Sequence, residues 1–368
     1  MKIFANRVFT GETVLEKQLI ICNETKIIAI QAGEAAEADE IVENIAPGFF
    51  DIQVNGGAQY HFTAHPTEEC LADIEEACLA DGTAFVLPTL ITSSLDNILI
   101  GIEAVKRYLA KYPQSGILGM HLEGPFLNPV KRGAHLSKYI QKPQEELVRK
   151  IITHGKGTIL QMTIAPEAFD TPTLSVLIAS GIPLAVGHTD ATYEIAKSAF
   201  DMGIRQVTHL FNAMSPFLHR QPGVVGAVFD DERIYAPIVL DGKHVDFAAA
   251  RAAYKVKRDK LFLISDALFL GKKKTDFQWE GFDARLCNGE YVNSEGNLAG
   301  ANISLGDAVK NARKELDVSL QEAIEMATYR PAKAVGLSHR IGRIASGYPA
   351  RFTVFDDELE RLRVLSSN

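Results

Sequence analysis

The chain has 368 residues, of which 46% are hydrophobic and 23% are charged, and its formal net charge is -8. This composition is typical of a globular protein with one large domain and a smaller appendage. The acidic balance argues against a nucleic-acid or anionic-membrane surface, because either would need a basic patch. It does not exclude a small anionic metabolite, since a few local cations can dominate a pocket.

The four cysteines, at positions 22, 70, 78 and 287, form no C-x-x-C pair and show no disulfide-like spacing. We therefore expect reduced thiols in a cytoplasmic protein. The first residues lack the apolar core of a signal peptide, and no apolar stretch approaches the roughly 18 residues that cross a bilayer. We expect neither membrane nor nucleic-acid partners.

The two ends of the chain have a similar β-rich texture. Residues 1–46 consist of short apolar runs broken by Gly and Asn turns, without a helical period. Residues 341–368 repeat this pattern. We predict that these two segments pair into one small β-sandwich domain beside a catalytic domain formed by residues 47–340.

Between these ends, about eight apolar runs alternate with helix-like segments. The runs are GFFDIQVNG, TAFVLPTLI, GILGMHLEG, TILQMTIAPE, IPLAVGHTD, RQVTHLFNA, IYAPIVLDG and LFLISDAL. Strands that alternate with helices predict a parallel sheet, and eight of them favour a (β/α)8 TIM barrel in the α/β class. A doubly wound open sheet is the alternative, although no G-x-G-x-x-G follows an early strand.

Residues with metal-binding side chains follow three of these runs. Glu123 ends a strand in HLEGPF, and His188 and His209 follow consecutive strands in AVGHTD and VTHLFNA. Neighbouring parallel strands lie roughly 4.8 Å apart, so the two imidazoles can reach one ion. A carboxylate with two imidazoles is a known catalytic metal set, whereas each residue alone could equally be a surface carboxylate or a structural histidine.

Three more polar residues lie at strand ends. Asp266 follows the eighth run, where it is a candidate base that moves the proton of the attacking water, or else a helix N-cap. Asp51 and Gln53 share one face of the first run by the two-residue strand period. Together with the carboxylate and imidazoles, these residues predict a metal-dependent hydrolase.

These residues lie in blocks that resemble the amidohydrolase superfamily, and within it the N-acetylglucosamine-6-phosphate deacetylases. The blocks cover nearly the whole chain in family order: PGFFDIQVNGG, LPTLIT, HLEGPFLN, RGAH, TIAPE, VGHTDAT, THLFNAM, RQPGVVGA, LDGKHVDF, ISDA, NLAG and MATYRPAKAVGL. The resemblance implies that Glu123, His188 and His209 bind the metal. It also implies that Asp266 is the general base and acid.

The resemblance further implies a set of substrate contacts. They are Ala134, His135, Asn212, Ala213, Arg220, His244, Leu298, Ala299 and Gly300. Arg220 is our first choice for a phosphate, because a guanidinium matches phosphate geometry, and His244 is the second. Either contact could come from a neighbouring subunit, and we expect a homodimer or a dimer of dimers.

The first strand departs from the wider superfamily, in which many members carry H-x-H and hold two metals. Here those positions are Asp51 and Gln53, a candidate remnant of a second site. We therefore expect one tightly bound divalent metal, with Zn first and Fe or Mn as alternatives, since ligand type hardly separates them. Residues 270–282 receive no assigned role and are either a mobile cover or a solvated loop.

The expected reaction is removal of the acetyl group from N-acetyl-D-glucosamine 6-phosphate, which gives D-glucosamine 6-phosphate and acetate. The alternatives are the galactosamine epimer as substrate, or another amide such as a cyclic one. An alternative from a different class is a non-catalytic barrel that serves as a binding module. The presence of all four chemistry-bearing residues favours an enzyme.

Overall fold

A curled parallel sheet surrounded by helices forms the centre of this mixed α/β protein. The computed structural model describes residues 1–271 and 274–367. Within these ranges, no helix combines the length and the apolar character that a membrane span requires. The cysteines are free thiols, as predicted, and only Cys287 of the four is exposed.

The strands and helices of the described residues alternate through most of the chain. The strands are β1 (Lys2–Phe9), β2 (Val14–Cys22), β3 (Ile27–Ala32), β4 (Glu40–Pro47), β5 (Phe49–Val54), β6 (Thr83–Ile91), β7 (Met120–Glu123), β8 (Ile159–Ile164), β9 (Leu184–Val186), β10 (Gln206–Val207), β11 (Ala236–Val239), β12 (Leu261–Ile264), β13 (Asp276–Trp279), β14 (Phe282–Cys287), β15 (Glu290–Val292), β16 (Arg351–Phe355) and β17 (Arg363–Ser366). The helices are α1 (Glu68–Ala80), α2 (Leu95–Lys111), α3 (Glu145–Gly155), α4 (Thr171–Ala179), α5 (Tyr193–Asp201), α6 (Gly223–Asp230), α7 (Phe247–Lys257), α8 (Leu305–Glu315), α9 (Leu320–Ala327) and α10 (Tyr329–Ala334).

The central sheet follows the order of the chain. Strands β5 to β10 are neighbours in one six-stranded parallel sheet, and β11 and β12 form a second parallel pair. Backbone hydrogen bonds link the two groups at both sides, from Asp266 N to Gln53 O at 3.0 Å and from Val207 N to Tyr235 O at 3.1 Å. Each of the eight predicted apolar runs contains one of these strands.

Burial on both faces explains why these strands read as continuous apolar runs. Every residue of β5, β6 and β12 is buried, because helices cover the outside of the sheet and side chains fill its inside. Most of the described helices begin at a side-chain cap, whereas α3, α6 and α10 do not. Thr67 and Ser94, for example, accept hydrogen bonds from backbone N–H groups of α1 and α2. Such caps each stabilise a helix by about 1 kcal/mol.

The terminal segments share a separate six-stranded sheet of order β17-β16-β4-β1-β2-β3. Strand β16, from the carboxyl end, pairs antiparallel with β4, and β4 lies parallel to β1. The two ends of the chain therefore meet in one sheet. The described strands here belong to a single sheet, so the two-layer sandwich that the sequence predicted is not confirmed.

Two elements had no counterpart in the sequence prediction. Helix α6 is short and almost wholly buried, so it lacks the amphipathic period that marks a surface helix. Strands β13 to β15 form a small antiparallel sheet between β12 and α8. Strand β13 and the first residue of β14 lie within residues 270–282, and Phe277 and Phe282 there are buried rather than solvated. Positions 272 and 273, two of the lysines in that segment, lie outside the described residues.

Candidate metal and active site

A cavity of about 440 Å³ opens at the carboxyl ends of the parallel strands. It gathers the predicted metal ligands and the predicted base, together with most of the predicted substrate contacts. The predicted residues that line it are Glu123, Ala134, His135, His188, His209, Asn212, Ala213, His244, Asp266, Leu298, Ala299 and Gly300. Arg220, Asp51 and Gln53 are not among its described lining residues.

Three side chains bring their ligand atoms to one point in this cavity. Glu123 Oε1 lies 3.2 Å from His188 Nε2 and 3.2 Å from His209 Nε2, and the two imidazole nitrogens are 3.1 Å apart. Ligands that share one tetrahedral ion at bond lengths of about 2.0–2.1 Å are separated by roughly 3.3 Å. The three residues therefore fit a single divalent metal in both chemistry and spacing.

Neighbouring groups orient these ligands. The Nδ1–H of His188 donates to the backbone oxygen of Lys131 at 2.9 Å, which leaves its Nε2 lone pair facing Glu123. The Gln53 side-chain amide donates to both Glu123 oxygens at 3.3 Å. Burial opposes ionisation of Glu123, but the interactions with the His188 and His209 imidazoles outweigh it and hold the pKa of Glu123 well below its usual range.

His135 lies at the edge of the same cluster. Its Nε2 is 4.0 Å from Glu123 Oε2, and Glu123, His135 and His188 also form a set whose ligand atoms lie within 4.8 Å of one another. We favour His209 over His135 as the third ligand, because His209 is 0.8 Å closer to the carboxylate (4.0 against 3.2 Å). The Thr92 hydroxyl, 3.0 Å from His135 Nδ1, then holds the His135 ring in place.

The backbone is strained where the site residues leave the strands. His188, His209 and Asp266 have φ values of 48°, 29° and 48°, a left-handed region that residues other than glycine seldom occupy. Each lies two residues beyond its strand, β9, β10 or β12. Strain of this kind persists where the surrounding structure enforces it, and it is concentrated at functional sites.

Asp266 is held by two amides. Its Oδ1 accepts from Gln53 Nε2 at 3.1 Å and from Asn55 Nδ2 at 3.0 Å, and the side chain is buried. Burial, followed by the charge of Glu123, raises the pKa of Asp266. Because both amides bind Oδ1, Oδ2 is the oxygen better placed to accept a proton.

Asp51 serves the backbone rather than the cavity. Its carboxylate accepts hydrogen bonds at 3.1 Å from the backbone N–H of Gln53 and from that of Ser265. Burial raises the pKa of Asp51 to about 7. Asp51 therefore holds backbone groups, whereas Gln53 hydrogen-bonds Glu123 and Asp266. Both side chains support the arrangement around a single candidate metal position.

The residues predicted to bind phosphate differ in placement. His244 lines the cavity, and its Nδ1 lies 2.7 Å from Asp241 Oδ2, which leaves Nε2 for a ligand. Arg220 is exposed and is not among the described residues that line the cavity within this chain, so its predicted phosphate contact stays a prediction. Lys131 is the one lysine or arginine among the described lining residues, and it is paired with Asp190 at 3.5 Å.

Sequence reasoning missed Asn55, His61 and Lys131 as lining residues of the cavity. Asn55 had a usable signal, because it lies two residues beyond Gln53 on the same strand period. Lys131 and His61 lie in loops that follow β7 and β5, and loops at this face of a parallel sheet often carry functional groups. Nothing in the local sequence distinguishes them from ordinary loop residues.

Comparison with known proteins identifies the family of the chain. A model of the amidohydrolase family matches residues 44–367. The N-acetylglucosamine-6-phosphate deacetylase of Haemophilus influenzae is 35% identical over 85% of this chain and 82% of its own. The N-acetylgalactosamine-6-phosphate deacetylase of Shewanella sp. is also 35% identical, over 87% of this chain and 81% of its own.

Solved structures extend the likeness to the whole fold. A crystal structure of N-acetylglucosamine-6-phosphate deacetylase from Pasteurella multocida has a TM-score of 0.91 and 33% identity, and covers 99% of this chain and 97% of that one. The Mycobacterium smegmatis deacetylase has a TM-score of 0.92 at 28% identity, over 100% and 98% of the two chains. The chain therefore belongs to the amidohydrolase family.

Proposed function

We propose that this protein hydrolyses the acetamide of N-acetyl-D-glucosamine 6-phosphate to D-glucosamine 6-phosphate and acetate, in amino-sugar breakdown or recycling. The observation that carries the proposal is the convergence of Glu123, His188 and His209 with Asp266 in one buried cavity. The relatives that share this chain's length bear that activity in their names. A non-catalytic barrel would have no need to keep this constellation.

Glu123, His188 and His209 would hold one divalent ion, and we propose zinc ahead of iron or manganese. When bound, such an ion polarises a carbonyl and acidifies a water molecule. The nitrogen-rich donor set supports zinc, although geometry and availability also decide between these metals. The Gln53 amide and the Lys131 carbonyl keep the carboxylate and the His188 ring oriented for this task.

Asp266 would move the proton of the reaction. Gln53 and Asn55 hold its Oδ1, so its Oδ2 takes a proton from the attacking water and passes it to the amine nitrogen that leaves. His135 would donate a hydrogen bond to the carbonyl oxygen as negative charge develops there. Its position beside Glu123 supports this role. The Thr92 hydroxyl donates to the Glu123 backbone oxygen at 3.1 Å, so donation from His135 Nε2 requires that this hydroxyl turn and donate to Nδ1 when substrate binds.

The other residues that were predicted from the sequence and line the cavity would position the sugar phosphate. They are Ala134, Asn212, Ala213, His244, Leu298, Ala299 and Gly300. The exposed position of Arg220 supports a phosphate contact made across a subunit interface, in a homodimer or a dimer of dimers. The exposed side chains of Phe217 and Leu218 beside it give such an interface an apolar component.

We also propose that β5 to β12 close into a (β/α)8 barrel. The hydrogen bonds from Asp266 to Gln53 and from Val207 to Tyr235, which join the six-stranded sheet to the β11–β12 pair, support closure. In such a barrel, the functional residues lie on one face, at the carboxyl ends of the strands.

The proposed domain boundaries remain 47–340 for the barrel and 1–46 with 341–368 for the terminal domain. A separate hydrophobic cluster supports this division, since Ile3, Ile45 and Phe352 pack in it apart from the barrel core. Five strands of the terminal sheet, β1 to β4 and β16, contribute residues to this cluster, which supports a terminal domain with its own hydrophobic core.

The free cysteines support a reducing, cytoplasmic location.

The galactosamine epimer is the second candidate substrate. It is favoured by the Shewanella relative, which matches this chain at the same 35% identity as the Haemophilus one. The two candidates share the amide and the phosphate and differ only at C4, so they make the same demands on Asp266 and the metal ligands.

Acetate release by purified protein of defined metal content tests the proposal. We expect metal-dependent release from N-acetylglucosamine 6-phosphate, and far slower release from the unphosphorylated sugar. The galactosamine epimer runs in parallel and decides between the two candidates. Absence of release from every amino sugar by metal-loaded protein would overturn the proposed activity.

A further inference from the structure

His61 lines the cavity, but the reaction described above does not use it. The residue lies in the loop between β5 and α1, and it is 1% exposed. Burial lowers the pKa of His61 to about 3. The ring is therefore neutral at neutral pH, with one nitrogen that donates and one that accepts.

Local contacts decide which nitrogen donates. The backbone N–H of Thr63 donates to His61 Nδ1 at 3.3 Å, so Nδ1 is the acceptor and Nε2 carries the hydrogen. Nε2 has no hydrogen-bond partner among the residues that the structure describes. A buried donor without a partner is destabilising, so a ligand or water that accepts this hydrogen is favoured.

Aromatic packing leaves the His61 ring little freedom to turn. The ring stacks on Phe277 with centroids 4.9 Å apart and an interplanar angle of 19°, and Phe269 and Phe282 pack around it at 6.1 Å. Phe277 and Phe282 come from β13 and β14, and Phe282 also lines the cavity. The small three-stranded sheet thus fixes His61 as a preorganised donor.

We propose that His61 is a specificity-determining residue of the sugar subsite, whose Nε2–H donates a hydrogen bond to one hydroxyl oxygen of the bound amino sugar. This inference rests on the proposed function. We assign this contact to a sugar hydroxyl rather than to the acetamide carbonyl or the phosphate. His135 and the proposed metal ligands are assigned to the acetamide carbonyl, and His244 and Arg220 are assigned to the phosphate, which leaves the sugar hydroxyls for His61.

The test combines two variants with trimmed substrates. His61→Phe keeps the aromatic packing and deletes the donor, whereas His61→Gln places an amide N–H near the position of Nε2. Acetate release is measured from N-acetylglucosamine 6-phosphate and from its 1-, 3- and 4-deoxy analogues. The matched control is His65→Phe, since His65 is an exposed histidine in the same loop.

We expect His61→Phe to lower kcat/KM about tenfold on the intact substrate, in keeping with one lost neutral hydrogen bond, and His61→Gln to recover part of it. With one deoxy analogue, wild type and His61→Phe should become equal, which identifies the hydroxyl. Coupling to the 4-hydroxyl would make His61 the residue that reads the epimer. Equal losses on all analogues, or no loss at all, would overturn the proposal.

Thermal unfolding of the ligand-free protein supplies an independent measurement. His61→Phe should unfold at the same temperature as wild type or higher, because it removes a buried donor that the described residues leave unpaired. A purely structural histidine would predict a lower unfolding temperature with unchanged kcat/KM, which would contradict the proposal. If wild type itself releases no acetate, the failure lies in the proposed function and removes the basis for the His61 assignment.

Discussion

His188 illustrates how single contacts prepare the site. Its Nδ1–H is bound by the Lys131 carbonyl, so its Nε2 lone pair is already directed at the point shared with Glu123 and His209. Asp266 is prepared in a different way, by two amides on one oxygen. Replacement of His188 should therefore affect metal binding, whereas replacement of Asp266 should affect turnover.

Asp266→Asn should keep the metal and lose roughly 10²-fold or more in kcat, because general acid–base groups typically contribute that much. Steady-state kinetics on protein of measured metal content checks this. Near-normal turnover would reject Asp266 as the base.

The matched comparison is His188→Ala. This variant removes a proposed ligand and should lose the metal itself. Full metal occupancy in that variant would reject ligation by His188.

Loops and short elements around the sheet carry much of what makes this site specific. The three-stranded sheet β13–β15 supplies Phe282 to the cavity, and the loop after β15 supplies Leu298 to Gly300. On the outer side of the sheet, the turn after α6 has its own buried charge, Asp231. The backbone N–H and the guanidinium of Arg233 both donate hydrogen bonds to this carboxylate, and these bonds hold the turn that leads into β11.

Asp231 predicts a pH-dependent contribution to stability. The Arg233 guanidinium holds the pKa of Asp231 well below its usual range, with help from the Arg233 backbone N–H and against the effect of burial. Because the folded pKa lies below the unfolded value of about 3.9, the contribution is present above about pH 4 and is lost as the pH falls towards the folded pKa. Asp231→Asn should therefore lower the free energy of unfolding at pH 7 by about 1–2 kcal/mol, a figure reduced because Arg233 is partly exposed.

Denaturant unfolding of chelator-treated protein at pH 7 and near pH 3 measures this effect without interference from metal loss. The difference between wild type and Asp231→Asn should shrink at the lower pH. Glu232→Gln is the matched control, because Glu232 is the exposed neighbour and loses the same charge. A difference that stays constant between the two pH values would contradict the ion-pair explanation.

At the scale of the whole molecule, the exposed position of Arg220 raises the question of subunit contributions. If Arg220 binds phosphate across an interface, each site needs Arg220 from one subunit and Asp266 from the other. Arg220→Ala should then lose much more activity on the phosphorylated than on the unphosphorylated sugar. An equal loss on both would reject the phosphate role.

Co-expression of Arg220→Ala with Asp266→Asn distinguishes the two arrangements. In a two-fold symmetric dimer that mixes at random, half of the molecules contain both variants and each has one intact site, so roughly one quarter of wild-type activity should return. If both residues act in the same subunit, every site has one defect and activity stays low. The separately purified variants are the controls.

The sequence by itself determined the strand positions and four of the residues that meet in the cavity. The eight apolar runs are buried on both faces, so their strand character did not depend on distant contacts. Glu123, His188, His209 and Asp266 could be predicted because each comes at or just beyond the end of such a run. Parallel strands bring those ends to one edge whatever the loops do.

Only the tertiary structure decided how the loops and the termini are used. Arg220 lies in a recognisable block, yet its distance from the cavity depends on how one loop packs. The position of His61 depends on Phe277, more than 200 residues later in the chain, which stacks on its ring. Local sequence specifies backbone preference and the period of burial, whereas the pairing of a buried donor with a cavity depends on contacts between segments far apart in the chain.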